Sequence, residues 1–167
     1  MIVTADADPG RDPEVALRAA VVAARTGRPL GSGSAVRLAA TLGDLPEPWP
    51  ASARRAVVDL LTSGPGLVPV WDELDIAGVV DRWLPEWSGI RLRGSSSPVH
   101  RHTVDRHSIG TCVAAAARMR GVERPDLLAV GALLHDIGKG REGDHSAVGR
   151  PMAVEIARRG GGDEADA

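Results

Sequence analysis

Glycine and proline divide this chain into short segments, most of which have the three-to-four-residue apolar spacing of an amphipathic helix. No segment has the alternation of apolar and polar residues that marks a half-buried strand. The sequence therefore predicts an all-α fold. Helices are expected over residues 13–26, about 34–42 and 51–61, with two short helices between Pro69 and Leu84 that separate near Gly78.

Composition excludes several classes of protein. Charged residues make up 25% of the chain and hydrophobic residues 43%, a balance typical of a globular domain rather than of a disordered or membrane protein. The single cysteine, Cys112, excludes a disulfide framework and a cysteine-rich zinc module. The first ten residues contain acids and no apolar run, so we expect no signal peptide, and no stretch is long enough for a membrane-spanning helix. These features predict a cytoplasmic protein.

The best internal boundary lies between Pro85 and Pro98, where a Gly-Ser-Ser-Ser run interrupts all helical periodicity. We therefore predict a helical region over residues 1–85 and a second domain over residues 86–167. Two helices of this second domain carry the residues of chemical interest. The first is predicted from Val104 to about Arg120, with His107 on the face opposite Ile109.

The second of these helices is predicted from Pro125 to Gly138 and is apolar nearly all round, so it is expected in the middle of the core. Gly138 is expected to end this helix in the left-handed conformation. Burial of His135 and Asp136 at its end would cost several kcal/mol unless something compensates for it. A divalent metal would compensate both, because it binds imidazole nitrogen and carboxylate oxygen. A third ligand would then come from the facing helix, which carries His107.

Two neighbours of this pair are further candidates. Lys139, the only lysine of the chain, follows on the turn after the helix. His145 lies in a loop or at a helix start, where it would be a further metal ligand, a contact to a substrate phosphate, or an exposed loop histidine.

Charge is unevenly distributed along the chain. Residues 86–125 carry a net charge of +4, and the segments on either side carry −3 each. The arginines of this middle segment form either a phosphate-attracting face or an ordinary solvated helix surface: Arg91, Arg93, Arg101, Arg106, Arg118, Arg120 and Arg124. The net charge of −2 for the whole chain argues against a dedicated nucleic-acid binder.

The order of His107 and then the His135-Asp136 pair resembles that of the HD superfamily, all-α metal-dependent phosphohydrolases. More narrowly, residues 102–107, 132–140 and 143–146 are similar to the uridylyl-removing region of the bacterial bifunctional uridylyltransferase/uridylyl-removing enzymes. The Trp83-Leu84-Pro85-Glu86-Trp87 run also resembles the segment before that region, and residues 12–85 look like its helical linker. By this resemblance the chain would be the middle part of such an enzyme.

The resemblance implies hydrolysis of a nucleotidyl-tyrosine phosphodiester on a PII-type nitrogen signal protein, with release of UMP or AMP. It implies a divalent metal, Mg²⁺ or Mn²⁺, held by His107, His135 and Asp136, with His145 as a further ligand. Lys139 would neutralise charge on the phosphate, and Arg106 or Arg101 would assist.

The alternative hypothesis is a catalytically inactive helical module that acts only in protein interaction. Superfamily members take a last Asp ligand from a helix further along the chain. In this sequence Asp163 and Asp166 lie in a Gly- and acid-rich stretch that is expected to be frayed and solvated. A third hypothesis, a helix-turn-helix nucleic-acid binder, has no matching pattern in the sequence.

Overall fold

The computed structural model describes residues 7–94 and 102–162, except for the side chain of Ser32. Within these ranges the chain forms helices and no strand, which confirms the all-α prediction. The helices are α1 (Glu14–Thr26), α2 (Ser32–Thr41), α3 (Ala51–Leu61), α4 (Leu67–Ile76), α5 (Val79–Trp83), α6 (Val104–Ala116), α7 (Pro125–Leu134) and α8 (His145–Arg159). Two 3₁₀ turns, Gly64–Gly66 and Pro85–Gly89, precede α4 and follow α5. None of the helices in the described ranges has both the length and the apolar character that crossing a membrane requires.

The helix ends in the first half of the chain follow local signals. Gly27 ends α1 with a φ of 65°, and its N–H donates to the carbonyl of Ala23. Gly78, with a φ of 84°, separates α4 from α5. Because a left-handed residue is strained for any side chain, these two glycines stop the helices where the sequence predicted.

One apolar core joins the helices. α1 packs on α3 and α4, and α6 packs on α7. Leu17, Leu74, Trp87 and Ile137 are among the largest fully buried side chains. Residues on both sides of the predicted boundary near residue 85 therefore share one core. The division into domains at that point stays a prediction.

Ion pairs hold the connection between α5 and α6. The Arg91 guanidinium donates to Asp75 at 2.6 Å and to Asp81 at 2.7 Å. At the far end of α8, Arg159 forms two hydrogen bonds to Glu86, at 2.9 and 2.8 Å. Burial alone would raise the pKa of Glu86, but the hydrogen bonds from Arg159, a backbone hydrogen bond and the charges of Arg159 and Arg141 together lower that pKa. The connection is therefore fixed to α4, α5 and α8.

Helix α7 does not lie in the middle of the core, so that prediction is wrong. Ala132 and Leu133 are buried, but Gly131 is exposed, and Leu127 and Val130 line a groove of about 570 Å³. The groove is bounded by α3, α7 and α8. The reason is that α7 packs mainly on α6 and α3, which together cover only part of its apolar surface.

The glycine that follows this helix also has a different role from the one predicted. Gly138 is not among the residues with a positive φ, whereas Gly140 has a φ of 87°. A Cβ on Gly138 would lie 2.2 Å from the carbonyl oxygen of His145 and 2.5 Å from the nitrogen of Gly149. Glycine is required there because the backbone of α8 lies directly against it.

Candidate metal centre

Two helices bring three side chains with metal-binding atoms together. His107 lies in the second turn of α6, and His135 and Asp136 follow the last residue of α7. One ligand atom of each residue lies within 4.8 Å of the others. Nε2 of His135 is 3.2 Å from Oδ2 of Asp136, and Nε2 of His107 is 3.8 Å from the same oxygen. The structure thus brings together three of the four predicted metal ligands.

The carboxylate is at the floor of this site and the two imidazoles are at its opening. The side chain of Asp136 is 6% exposed, whereas those of His107 and His135 are 37% and 35% exposed. Nζ of Lys139 donates to Oδ2 of Asp136 at 2.7 Å. A buried carboxylate needs such a cationic partner, because burial without one is very costly.

A backbone carbonyl fixes the proton on one imidazole. Nδ1 of His135 is 2.9 Å from the carbonyl oxygen of Ala132. Because this oxygen can only accept, Nδ1 carries the hydrogen, and the neutral ring has its lone pair on Nε2. Nε2 lies 3.2 Å from a carboxylate oxygen of Asp136, so a cation could be bound by both atoms. Metal-binding histidines commonly have this arrangement.

These three residues fit a divalent metal. Imidazole nitrogen and carboxylate oxygen together suit Mn²⁺, Fe²⁺ or Zn²⁺, and Mg²⁺ is bound through carboxylates and water. The ring centroids of His107 and His135 are 5.2 Å apart, with the planes at 68°, so the two imidazoles are close together without being stacked in parallel. The cluster of His107, His135 and Asp136 could therefore hold a metal ion.

The other predicted site residues lie around this cluster. His145 is the first residue of α8 and is exposed, outside the group of possible ligands in the described ranges. Arg106 is also exposed, and its guanidinium pairs with Asp72 of α4 at 2.9 Å. Roles for these two residues stay predictions. Arg101, Asp163 and Asp166 fall outside the described residues.

Sequence reasoning did not identify Asp105 as a residue that positions the site. Its side chain is buried, and Oδ2 accepts a hydrogen bond from the N–H of Leu92 at 3.0 Å. This bond ties the first turn of α6, next to His107, to the segment before it. The sequence did contain a signal for the burial of Asp105, because this acid lies on the same helix face as Ile109 and Cys112, which are both buried.

Comparison with known proteins agrees with this geometry. Residues 104–165 match the HD domain family. The chain is 51% identical over 165 residues to the bifunctional uridylyltransferase/uridylyl-removing enzyme of Streptomyces coelicolor, an alignment that covers 99% of this chain and 20% of that protein. The protein of the same name from Mycobacterium tuberculosis is 45% identical over 159 residues, covering 95% of this chain and 20% of the relative. That from Corynebacterium glutamicum is 41% identical over 150 residues, covering 90% and 22%.

The chain spans about a fifth of the length of these curated relatives. No solved structure matches it. The segment that matches the HD domain family begins at Val104, so it includes all three residues of the cluster. The chain therefore contains an HD domain and is related over nearly its whole length to one segment of the bifunctional uridylyltransferase/uridylyl-removing enzymes.

Proposed function

We propose that this chain is a metal-dependent phosphodiester hydrolase of HD type that removes a nucleotidyl group from a tyrosine of a PII-type signal protein. The observation that carries the proposal is the cluster of His107, His135 and Asp136 inside the segment that matches the HD domain family. The relatives are named for the removal of uridylyl groups, which supports a phosphodiester as the bond that is broken. The proposed setting is the cytoplasm.

In this proposal His107, His135 and Asp136 hold Mg²⁺ or Mn²⁺. When bound, the metal polarises a phosphoryl oxygen and lowers the pKa of a coordinated water molecule. His135 is oriented for this role because the hydrogen bond between Nδ1 and the carbonyl of Ala132 holds the ring with Nε2 beside Asp136. Asp136 supplies the negative charge of the site from a buried position.

Lys139 and two outer residues have proposed roles toward the phosphate. The ammonium group of Lys139 lies beside the carboxylate of Asp136, where it stabilises the negative charge that develops as the ester bond breaks. His145 begins α8 soon after the turn that carries Lys139, and it is proposed as a further ligand or as a phosphate contact. Arg106 would contact the phosphate after release from Asp72.

Metal binding and hydrolysis test the proposal together. Titration of the 167-residue chain with Mn²⁺ in a calorimeter is expected to show stoichiometric binding. The loaded protein is expected to hydrolyse bis(p-nitrophenyl) phosphate and to release UMP from a uridylyl-tyrosine peptide. Asp136→Asn is expected to abolish metal binding and to reduce turnover by more than about 100-fold, because loss even of a group behind a ligand costs 10- to 100-fold.

The matched control is Asp126→Asn in the first turn of α7, the helix that precedes Asp136, where the carboxylate is exposed and paired with Arg124. This variant should bind Mn²⁺ and turn over substrate as the unmodified chain does. A chain that binds no metal and hydrolyses neither substrate would refute the proposal.

The second candidate function is a non-catalytic module that binds the signal protein. It is favoured by the ion pair of Lys139 with Asp136, which compensates the buried carboxylate through the protein alone. This candidate predicts binding to the nucleotidylated signal protein without metal and without release of UMP. Metal content of the purified chain separates the two functions.

A further inference from the structure

The structure divides the arginines of the basic middle segment into two groups. Three of them pair with carboxylates: Arg91, Arg106 and Arg124. Arg118 donates to the carbonyl of Ala114, and Arg101 falls outside the described residues. Within residues 7–94 and 102–162, Arg93 and Arg120 have no carboxylate partner. Only one of these two lies near the candidate metal centre.

Arg93 lies across the turn that follows the centre. Gly140 has a φ of 87°, and a Cβ on this residue would be 2.4 Å from both Cδ and Nε of Arg93 and 2.7 Å from its Cζ. The arginine side chain therefore rests directly on the backbone of Gly140. That glycine follows Lys139, whose ammonium group is 2.7 Å from Asp136. The guanidinium is thus placed next to the turn on which the site is built.

The main chain on both sides of Arg93 is fixed. The N–H of Leu92 donates to the buried carboxylate of Asp105 at 3.0 Å, and the carbonyl of Arg93 accepts from the N–H of Val104 at 2.9 Å. Leu92 has a φ of 53°, a left-handed conformation that a leucine adopts only when its surroundings impose it. These contacts join the segment to the start of α6, the helix that carries His107.

We propose that Arg93 is a substrate-binding residue that contacts a phosphate oxygen of the nucleotidyl group. A planar guanidinium with several N–H donors binds phosphate in a bidentate way, and it stays charged at any physiological pH. Lys139 is hydrogen-bonded to Asp136, and Arg93 supplies a second positive charge from its place on Gly140, the next residue of the same turn. This inference rests on the proposed function, because it names the group that orients the substrate of that site.

Equilibrium binding of UMP and of inorganic phosphate tests the inference without turnover. Calorimetric titrations in the presence of Mn²⁺ would compare the unmodified chain with Arg93→Ala, Arg93→Lys and the control Arg120→Ala. Arg93→Ala is expected to weaken UMP binding about tenfold, which is the effect expected when one charge-assisted hydrogen bond is lost at a solvent-exposed position. Arg93→Lys should fall in between, since lysine retains the charge without the bidentate geometry. Arg120→Ala should bind as the unmodified chain does.

A second variant, Gly140→Ala, separates the effect of the Arg93 side chain on UMP binding from the effect of backbone strain. Gly140→Ala displaces the Arg93 side chain and also strains the backbone. It should weaken UMP binding in the unmodified chain but have no further effect on UMP binding in the Arg93→Ala background, although the strain is the same in both.

Any of three outcomes would overturn the inference. Arg93→Ala could bind UMP as tightly as Arg120→Ala does, or Gly140→Ala could weaken UMP binding equally in both backgrounds. The unmodified chain could also bind neither UMP nor phosphate. A chain that binds UMP through Arg93 but does not hydrolyse bis(p-nitrophenyl) phosphate would uphold the inference while refuting the proposed function.

Discussion

The two described segments of the chain, residues 7–94 and 102–162, bury different kinds of side chain. Of the 33 buried apolar residues in these segments, 24 lie between Ala16 and Ile90, and nine lie between Val104 and Ile156. The buried polar and charged residues have the opposite distribution: Ser34 is in the first segment, and Asp105, Ser108 and Asp136 are in the second. The first segment therefore carries most of the hydrophobic stabilisation, and the second carries most of the buried polar groups, with Asp136 of the candidate metal centre among them.

This difference has a consequence for how the site is maintained. Burial of polar groups in the second segment costs free energy, and its own helices bury few apolar residues to offset it. Helix α7 in particular rests on α3 of the first segment. The first segment thus stabilises a site to which it contributes no metal-ligand candidate, and substitutions in the two segments should separate stability from metal binding.

The largest effect on stability is expected from Leu74→Ala in α4. Leu74 is fully buried, and truncation of such a leucine costs about 3 kcal/mol through lost burial and the cavity that remains. Urea denaturation measures the change in the free energy of unfolding. Ile76→Ala on the same helix is the control, because Ile76 is 88% exposed and should change stability by less than about 0.5 kcal/mol. The comparison fails if Leu74→Ala weakens Mn²⁺ binding by the folded chain.

A smaller effect, about 2 kcal/mol, is expected from Gly138→Ala in the second segment. The added methyl group would overlap with backbone atoms of His145 and Gly149, so α8 has to move. Gly131→Ala in α7 is the matched control: no atom lies within 4 Å of its added methyl group, and alanine is the better helix former by up to about 1 kcal/mol. Thermal melts should therefore move in opposite directions for the two variants, and equal destabilisation by both would contradict the assignment of Gly138 to backbone contact.

The smallest effect, about 1 kcal/mol at neutral pH, is expected from Glu86→Gln, which breaks the ion pair between the first segment and Arg159 of α8. Since Arg159 lowers the pKa of Glu86 in the folded chain, the pair stabilises that chain above the ordinary glutamate pKa of about 4.3. This contribution disappears as the pH falls through the lowered pKa.

Denaturant unfolding of both proteins at several pH values measures this difference, which should shrink as the pH falls below the ordinary glutamate pKa. Glu155→Gln removes an exposed pair with Arg158 and should leave stability unchanged at every pH. A difference between Glu86→Gln and the unmodified chain that stays constant as the pH falls would show that the ion pair is not its cause.

The sequence was sufficient for features set by neighbouring residues. The helix stops at Gly27 and Gly78 depend on local backbone conformation, and both were predicted. His107, His135 and Asp136 were predicted to meet because a paired His and Asp at the end of an apolar helix need a partner from the facing helix.

Features set by tertiary contact could not be predicted in the same way. The role of Gly138 depends on where α8 returns, and the exposure of α7 depends on how few helices cover it. The position of Arg93 over Gly140 depends on the left-handed conformation of Leu92 and on its hydrogen bond to Asp105, and no local pattern in the sequence encodes either. Local sequence signals were enough to predict which helices carry the candidate metal ligands. The close contacts between backbone segments could be seen only in the folded structure.

Helix α8 is fixed at both ends, and its position is therefore coupled to that of the candidate metal centre. Its first turn lies on Gly138 with no side chain between the two backbones, and at its last residue Arg159 is bound to Glu86 and its carbonyl accepts from the N–H of Trp49. A force on α8 is therefore transmitted to the turn of Asp136 through rigid main chain rather than through side chains that can change rotamer. We expect that a displacement of α8 would also move the turn of Asp136 in the candidate metal centre, without contact to any of its three residues.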